Sequence, residues 1–179
     1  MFGRRGAAVA LSSLTLVVSS VVWAPAGQAH ESEHKEGVLC TGSSTSTYDP
    51  ALTLVPRQTR VRARGNYECT VEPGRTEPAT GYMEGKSPAA SCITLDSPHL
   101  REFVHYADGK RSLIVYDRDT TLRVAGVLVV ELSGRVVEGR GEGLAAQRIV
   151  TALPRQLPTE CLTSGLRGSE GGARLEIGP

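Results

Sequence analysis

The feature of this sequence that most restricts its fold is a series of short apolar–polar alternations separated by turn residues. Within residues 59–67, Val61 and Ala63 occupy one phase of the alternation and arginines occupy the other. A period of two is typical of a half-buried strand. After Ala29 no long stretch shows the 3.6-residue apolar period of a helix. The pattern therefore predicts an all-β chain.

Two turn dipeptides, Asp108-Gly109 and Ser133-Gly134, each lie between strand-like segments and predict two hairpins. Asp-Gly suits the positive backbone angles of a tight hairpin turn. The flanking segments are residues 101–106 and 112–116 for the first hairpin, and 126–132 and 135–137 for the second.

The remaining segments complete an estimate of about eight short strands. Residues 45–54 and 173–177 fit strands, while 145–153 fit either a strand or a short helix. Many short strands with regular turn signals favour an antiparallel β-sandwich, or a partly open barrel. We expect one such domain over residues 39–179.

The first 29 residues have the composition of a cleavable signal peptide. Arg4 and Arg5 precede an uncharged stretch over residues 7–24, and small residues then alternate up to Ala29, the pattern that a signal peptidase recognises. An uncleaved membrane anchor is the alternative, but the apolar stretch is barely long enough to span a bilayer. We expect secretion to the cell exterior and a mobile polar arm over residues 30–38.

The charge of the chain restricts the classes of partner. The full chain has 20 Lys+Arg and 19 Asp+Glu, and loss of Arg4 and Arg5 would leave 18 basic residues against 19 acidic ones. This balance gives no overall attraction to nucleic acid or to anionic lipid. We therefore expect a monomer with an extracellular or cell-wall partner, no nucleic-acid partner, and no membrane association after signal cleavage.

All four cysteines, Cys40, Cys69, Cys92 and Cys161, lie beyond the predicted signal peptide. An even number of cysteines in an exported chain predicts two disulfides. Their spacings contain no C-x-x-C or Cys/His knuckle of the zinc-binding type. Three pairings are possible, and we favour Cys69–Cys92 together with Cys40–Cys161, the second joining the first strand to the C-terminal region.

A set of ordered landmarks resembles a group of secreted four-cysteine β-sandwich proteins of actinomycetes that has no assigned activity. The resemblance implies export and a β-rich fold, and it provides no catalytic residue. The chain departs from the group in its higher arginine content and in Tyr106, where Trp is frequent. The matching segments are Cys40-Thr41-Gly42, residues 48–53, Cys69, Ser91-Cys92-Ile93, residues 108–112, residues 133–136 with Gly139 and Gly143, and Cys161-Leu162.

Among catalytic and metal-binding patterns, the sequence offers one specific hypothesis, a copper site at the mature N-terminus. There is no Gly-x-Ser-x-Gly nucleophile motif, and no catalytic residues are assigned. Cleavage after Ala29 would make His30 the mature N-terminus, and its amine and imidazole could chelate copper with His34 as a partner; His99 and His105 are the other candidates. Cleavage after Ala26 would remove this site, and the alternative is that His30 and His34 are solvated.

The four arginines Arg57, Arg60, Arg62 and Arg64 predict a basic stripe along one strand. Such a stripe suits an acidic surface such as teichoic acid or a protein, although charges on an edge strand also prevent aggregation. We therefore expect a secreted or envelope-associated non-catalytic protein that acts in surface recognition or has a structural role, without a cofactor. The alternative is a secreted enzyme, either a hydrolase or a copper-dependent oxidase.

Overall fold

The computed structural model describes residues 37–96, 99–124, 127–154 and 158–178, and it shows nine strands in these ranges. A short 3-10 helix, Pro158–Leu162, lies between the last two strands. The strands are β1 (Val38–Leu52), β2 (Arg57–Glu72), β3 (Arg75–Ala90), β4 (Leu95–Asp96), β5 (His99–Tyr106), β6 (Arg111–Val124), β7 (Val127–Gly139), β8 (Ala145–Pro154) and β9 (Leu166–Gly178).

Eight of these strands close into one antiparallel barrel. The order around the barrel is β2-β1-β9-β8-β7-β6-β5-β3, and β3 pairs with β2 to complete the ring. Successive strands are neighbours, so the barrel runs up and down, and the two-residue β4 pairs only with β3. The all-β antiparallel prediction is confirmed, but the strands form a closed barrel where a sandwich was favoured.

The predicted period of two is confirmed along β2. Val61 and Ala63 are buried in the barrel, and the alternate side chains Arg60, Arg62 and Arg64 are exposed. Residues 145–153 belong to strand β8, which settles the choice between strand and helix. The hairpin at Asp108-Gly109 is also confirmed: β5 pairs with β6, and Gly109 has a φ of 84°.

The hairpin predicted at Ser133-Gly134 is wrong, because β7 runs continuously through both residues. Gly134 lies opposite Tyr116 in β6, beside a register shift between Tyr116 and Arg118. A Cβ at Gly134 would collide with the backbone oxygen of Val115. Glycine here permits close approach of two strands, which is its second common role in sheets besides forming turns.

Two disulfides are present, as predicted, but the favoured pairing is wrong. Cys40 lies directly opposite Cys69 on the neighbouring strand, with their Cα atoms 3.9 Å apart, and Cys92 binds Cys161. Cys69 and Cys92 lie near opposite ends of β3, on the order of 40–50 Å apart along an extended strand. A disulfide needs Cα atoms within about 7 Å, so these two cannot pair.

Each end of the barrel is covered by a loop. Gly139–Leu144 covers one end, where Leu144 packs against the main core. A segment after β3, residues 91–95, covers the other and is held by the Cys92–Cys161 disulfide and by a hydrogen bond from the Cys92 N–H to the Thr53 carbonyl. A second small core lies under this segment, formed by Leu52, Ala90, Cys92 and Leu166.

In the described ranges, no helix is long and apolar enough to cross a membrane.

Candidate functional sites on and inside the barrel

Three of the four arginines of the predicted stripe share the outer face of β2. Arg60, Arg62 and Arg64 are all exposed and alternate with buried side chains. Arg57 lies before a register shift in β2, and one of its guanidinium nitrogens donates to the Ala51 carbonyl at 2.5 Å. The fourth arginine is therefore directed to the neighbouring loop instead of the row.

The neighbouring strands extend this row of cations into a two-dimensional array. Lys86 lies opposite Arg60, and Arg101 lies one strand beyond Arg62 with Glu84 between them. All of these side chains are exposed. Strands in a sheet are about 4.8 Å apart, and same-face residues along a strand are about 6.7 Å apart. The five cations therefore occupy an area of roughly 10 by 13 Å.

The same area carries two exposed aromatic rings. Tyr82 and Phe103 are directly opposite each other on β3 and β5, and Tyr82 also lies opposite Arg64. They are 37% and 39% exposed, respectively. We call this surface the basic face, defined as Arg60, Arg62, Arg64, Lys86 and Arg101 together with Tyr82 and Phe103.

The cations of the basic face lack acidic partners in the described part of the chain. None of the five belongs to a described ion pair. Two acids are neighbours in register: Glu84 lies opposite Arg62 and accepts a hydrogen bond from the Tyr82 hydroxyl at 3.1 Å, and the exposed Asp49 of β1 lies opposite Arg60. Because the whole chain has a net charge of only +1, this surface concentrates positive charge that the rest of the chain balances.

The barrel interior contains a buried ion pair that the sequence analysis missed. Arg148 on β8 and Glu102 on β5 are both fully buried, and Arg148 Nη1 lies 2.8 Å from Glu102 Oε1. The hydroxyls of Tyr67 and Tyr116 donate to the two carboxylate oxygens at 3.0 and 2.7 Å. We call these four residues the interior cluster.

Burial and charge act together on the ionisation of this cluster. Burial raises the pKa of the Tyr67 and Tyr116 hydroxyls, and the adjacent Glu102 carboxylate raises it further. Burial alone would lower the pKa of Arg148, but the attraction and hydrogen bond of Glu102 together with the interactions of Tyr67 and Tyr116 outweigh it, and the pKa is raised. The tyrosines therefore stay neutral donors and the arginine stays charged at ordinary pH.

One nitrogen atom of the Arg148 guanidinium has no hydrogen-bond partner. Nη2 donates to the Ser44 hydroxyl at 2.8 Å, and Nη1 also approaches the Met83 sulfur at 3.5 Å. Nε has no hydrogen-bond partner and is the single buried side-chain N or O atom without one among the described residues. An unpartnered buried donor costs about 1–3 kcal/mol, so this atom reduces the net stabilisation that the interior cluster provides.

A second cluster, centred on Arg140, lies at the end of the barrel that the 139–144 loop covers. Arg140 reaches Glu77 at 2.7 Å and Asp108 at 2.5 Å, and its guanidinium lies 4.4 Å from the centre of the Tyr106 ring. The hydrogen bond from the Lys110 backbone N–H lowers the pKa of Asp108 most, burial opposes it, and Arg140 lowers the pKa further. These contacts fix the 139–144 loop over this end.

Comparisons of this chain with protein-family models, with curated proteins and with solved structures find no match. The interpretation of the basic face and of the interior cluster therefore depends on their own geometry.

The residues considered for copper are not brought together in the described ranges. His30 and His34 lie outside those ranges, as does the predicted signal peptide. His99 and His105 are exposed on the outer face of β5, six residues apart along the strand. Within the described residues no group of three or more His, Cys, Asp or Glu side chains could hold a metal ion.

Sequence patterns could have located the interior cluster. Glu102 occupies the apolar phase of β5 between Leu100 and Val104, and Arg148 lies in the apolar phase of β8 between Ala146 and Val150. A lone acid and a lone base in the buried phases of two strands predict a buried pair, because an isolated buried charge is very costly.

Proposed function

We propose that this protein is a non-catalytic extracellular recognition protein that binds a phosphate-bearing anionic polymer through the basic face. The observation that carries the proposal is the array of five exposed cations around two exposed rings, with no acidic partner among the described ion pairs. Surfaces of one charge sign raise the local concentration of oppositely charged ligands.

The composition of the basic face favours phosphate as the anion. Four of its five cations are arginines, and the planar guanidinium binds phosphate oxygens through two parallel hydrogen bonds. The same-face spacing of about 6.7 Å along β2 lets Arg60, Arg62 and Arg64 meet successive charges of an extended polymer. The exposed rings of Tyr82 and Phe103 offer apolar contacts between those charges.

Barrel closure removes the main alternative explanation of these charges. Charged side chains are common on edge strands, where they prevent pairing between chains. β2 is not an edge, because it pairs with β1 on one side and β3 on the other. The arginines of β2 therefore have no unpaired backbone to protect.

The test compares two triple variants with the same change in net charge. Arg62→Gln, Arg64→Gln and Arg101→Gln together remove three of the five positive charges of the basic face. Three exposed arginines on β6, β7 and β9 serve as the control: Arg118→Gln, Arg135→Gln and Arg174→Gln. Binding of the secreted protein to poly(glycerol phosphate) is measured by titration calorimetry at 50 and 200 mM salt, with a polyuronate of similar length as a second polymer.

We expect the basic-face variant to lose at least tenfold in affinity, while the control triple stays close to the unmodified protein, because only the first removes the direct contacts. Three to five phosphate contacts give a slope of log K against log salt of about −2 to −3.5, or a roughly 16- to 130-fold loss over this salt range. Equal losses in both triples, or a stronger interaction with the polyuronate, would contradict the proposal.

A further inference from the structure

A groove on the outside of the barrel continues the surface of the basic face along β2, β3 and β5. The outward-facing row after Tyr82 and Phe103 consists of Asn66, Thr80 and His105, which lie opposite one another on the three strands. Residues on one face of a strand are about 6.7 Å apart, so the groove begins one such spacing from the two rings. Its volume is about 530 Å³, within the roughly 300–1,000 Å³ of small-molecule sites.

The polar side chains of this groove are accessible. Thr41 on β1, Asn66 and Glu68 on β2, Thr80 on β3 and His105 on β5 line it, and all five are exposed. We call these five residues the polar groove. None of them takes part in a side-chain hydrogen bond or an ion pair within the described ranges. Two hydroxyls, an amide, an imidazole and a carboxylate together provide both donors and acceptors for a ligand.

The charge of the polar groove distinguishes it from the basic face. Glu68 is acidic, and the lining residues that the structure describes include no lysine or arginine. Arg111, which lies opposite His105 on β6, is paired with Glu138 at 2.7 Å. An anion would therefore meet a carboxylate here without a cation to offset it, while a single exposed carboxylate attracts a cation only weakly. A neutral ligand with several hydroxyl groups suits this set of side chains.

The carbon surface of the groove completes the match to a sugar. Pro78 and Ala107 are exposed and apolar, and Gly42 adds exposed backbone without a side chain. Small-molecule sites usually combine an apolar lining with a few placed polar groups. A sugar ring carries C–H groups on its faces and hydroxyl groups, which both donate and accept, around its edge. It can therefore contact both parts of this lining.

We propose that the polar groove binds a neutral sugar unit, carried as a substituent by the phosphate-bearing polymer that the basic face binds. The sugar hydroxyls bond to Asn66, Thr80 and His105, while the phosphates meet the arginines on the same strands. The identity of the polymer rests on the proposed function, but the contact between sugar and groove does not.

The first test measures the preference of the intact, disulfide-bonded protein for a glycosylated polymer. Titration calorimetry compares poly(glycerol phosphate) that carries glucosyl groups on its glycerol units with the same polymer without them. We expect the glucosylated polymer to bind at least about fivefold more tightly, because two or three net hydrogen bonds are added. The preference should be the same at 50 and 200 mM salt, since a neutral sugar releases no counterions.

Two double variants with identical substitutions locate this preference. Thr80→Ala with His105→Ala should reduce it to less than about twofold and leave the affinity for the plain polymer unchanged. Thr120→Ala with His99→Ala is the control, because both positions are exposed and neither lines the groove; it should retain the full preference. The basic-face triple should weaken both polymers and leave their ratio unchanged.

A phosphate-free probe separates failure of this inference from failure of the proposed function. Asn66 is the single asparagine of the chain, so selective asparagine labelling gives one pair of side-chain amide signals in nuclear magnetic resonance. We expect glucosylglycerol to shift this pair saturably in the unmodified protein, even if neither polymer binds. Galacturonate, an anionic sugar of similar size, should bind at least about threefold more weakly, since its carboxylate would lie near Glu68.

Two results would overturn the inference and leave the proposed function standing. One is equal affinity for the plain and glucosylated polymers. The other is an Asn66 amide pair that glucosylglycerol does not shift, or shifts only linearly with concentration. If neither polymer binds but the amide pair shifts saturably, the proposed function fails and the sugar site stands.

Discussion

Removing one partner of the buried Arg148–Glu102 pair should be far more damaging than removing both. Arg148→Met would leave the Glu102 carboxylate fully buried with only the Tyr67 and Tyr116 hydroxyls as partners. Glu102→Gln would leave a buried guanidinium without its counter-charge. Breaking one side of a buried pair typically costs about 3–5 kcal/mol, a large part of the 5–15 kcal/mol that a domain usually has.

The double variant Arg148→Met/Glu102→Gln leaves no buried charge at the pair, and its Gln side chain still accepts a hydrogen bond from a tyrosine hydroxyl. We expect it to lose only about 1–3 kcal/mol, the cost of imperfect hydrogen bonding. The free energy of coupling between the two sites should therefore exceed about 2 kcal/mol, at the upper end of values for residues in contact.

The assay is urea unfolding of the oxidised protein, followed by far-ultraviolet circular dichroism and tyrosine fluorescence. The one Trp of the chain is Trp23, so the emission of the described barrel comes from its five tyrosines. With a slope of about 2 kcal/mol per M of urea, a single variant should lower the midpoint by roughly 1.5–2.5 M.

The exposed pair Arg174–Glu176 provides the matched control cycle. Its N–O distance is 3.0 Å, close to that of the buried pair, but its side chains are 54% and 51% exposed. Exposed pairs couple by less than about 1 kcal/mol. If the two cycles give similar coupling, or if Arg148→Met costs less than about 1 kcal/mol, burial of the interior pair does not have the energetic role assigned to it.

Three further predictions concern stability. Replacing Cys40 and Cys69 together by Ala should cost about 3–4 kcal/mol, because the closed loop spans 29 residues. A loss below about 1 kcal/mol in urea unfolding would refute the loop-entropy argument. Asp108→Asn should reduce the loss of stability on acidification below about pH 4. The folded pKa of Asp108 is depressed, so its contribution to stability is present above the unfolded pKa and disappears as pH falls through the folded pKa. Thermal unfolding from pH 2 to 6 measures this, and an unchanged acid profile would contradict it. Gly134→Ala should destabilise the protein by about 1–3 kcal/mol through the collision of the new Cβ with the opposing β6 carbonyl. An unchanged melting temperature would contradict the close approach of the two strands.

Local patterns predicted most of the strands, because side-chain alternation and turn chemistry act over a few residues. The alternation in β2 and the Asp108-Gly109 turn are examples, and both are confirmed. Ser133-Gly134 has an equally good turn composition, yet it lies inside β7. Glycine serves both turns and close strand contacts, and only the position of the partner strand distinguishes the two.

The disulfide pairing was also within reach of the sequence. β1 and β2 form a hairpin whose partners are placed symmetrically about residues 54 and 55, so Thr45 faces Arg64 and Cys40 faces Cys69. A turn assigned at residues 53–56 would have given this pairing directly, since hairpin register is fixed by the loop. The predicted strand over residues 45–54 instead extends past the end of β1 at Leu52 and leaves no room for this turn.

Barrel closure was harder to predict, because it depends on pairing between β1 and β9, the first and last strands. These strands carry few large apolar residues, and their facing pairs include Gly42 with Ala173 and Ser43 with Gly172. Small residues give weak cross-strand signals. A sandwich and a closed barrel need the same alternation on each strand, so the distinction lies in this long-range pairing.

The interior cluster is a consequence of how the barrel fills its centre. An eight-stranded barrel is just wide enough for side chains to fill, but beyond residue 29 this sequence has no Trp and a single Phe, Phe103, which faces outward. Arg148 and Tyr116 are instead the largest of the fully buried side chains. Large polar groups can replace aromatic ones here only if they bond to one another.

Inward-facing glycines make room for these large groups. A Cβ at Gly65 would collide with the Tyr67 ring, and one at Gly81 would collide with both Tyr67 and the Glu102 carboxylate. Strands β2 and β3 thus alternate missing side chains with large ones, as tapering barrel interiors require. Gly81→Ala should therefore disturb the hydrogen bond between Tyr67 and Glu102 although neither residue is substituted. The sequence of one strand does not reveal this coupling, because the fit is between strands.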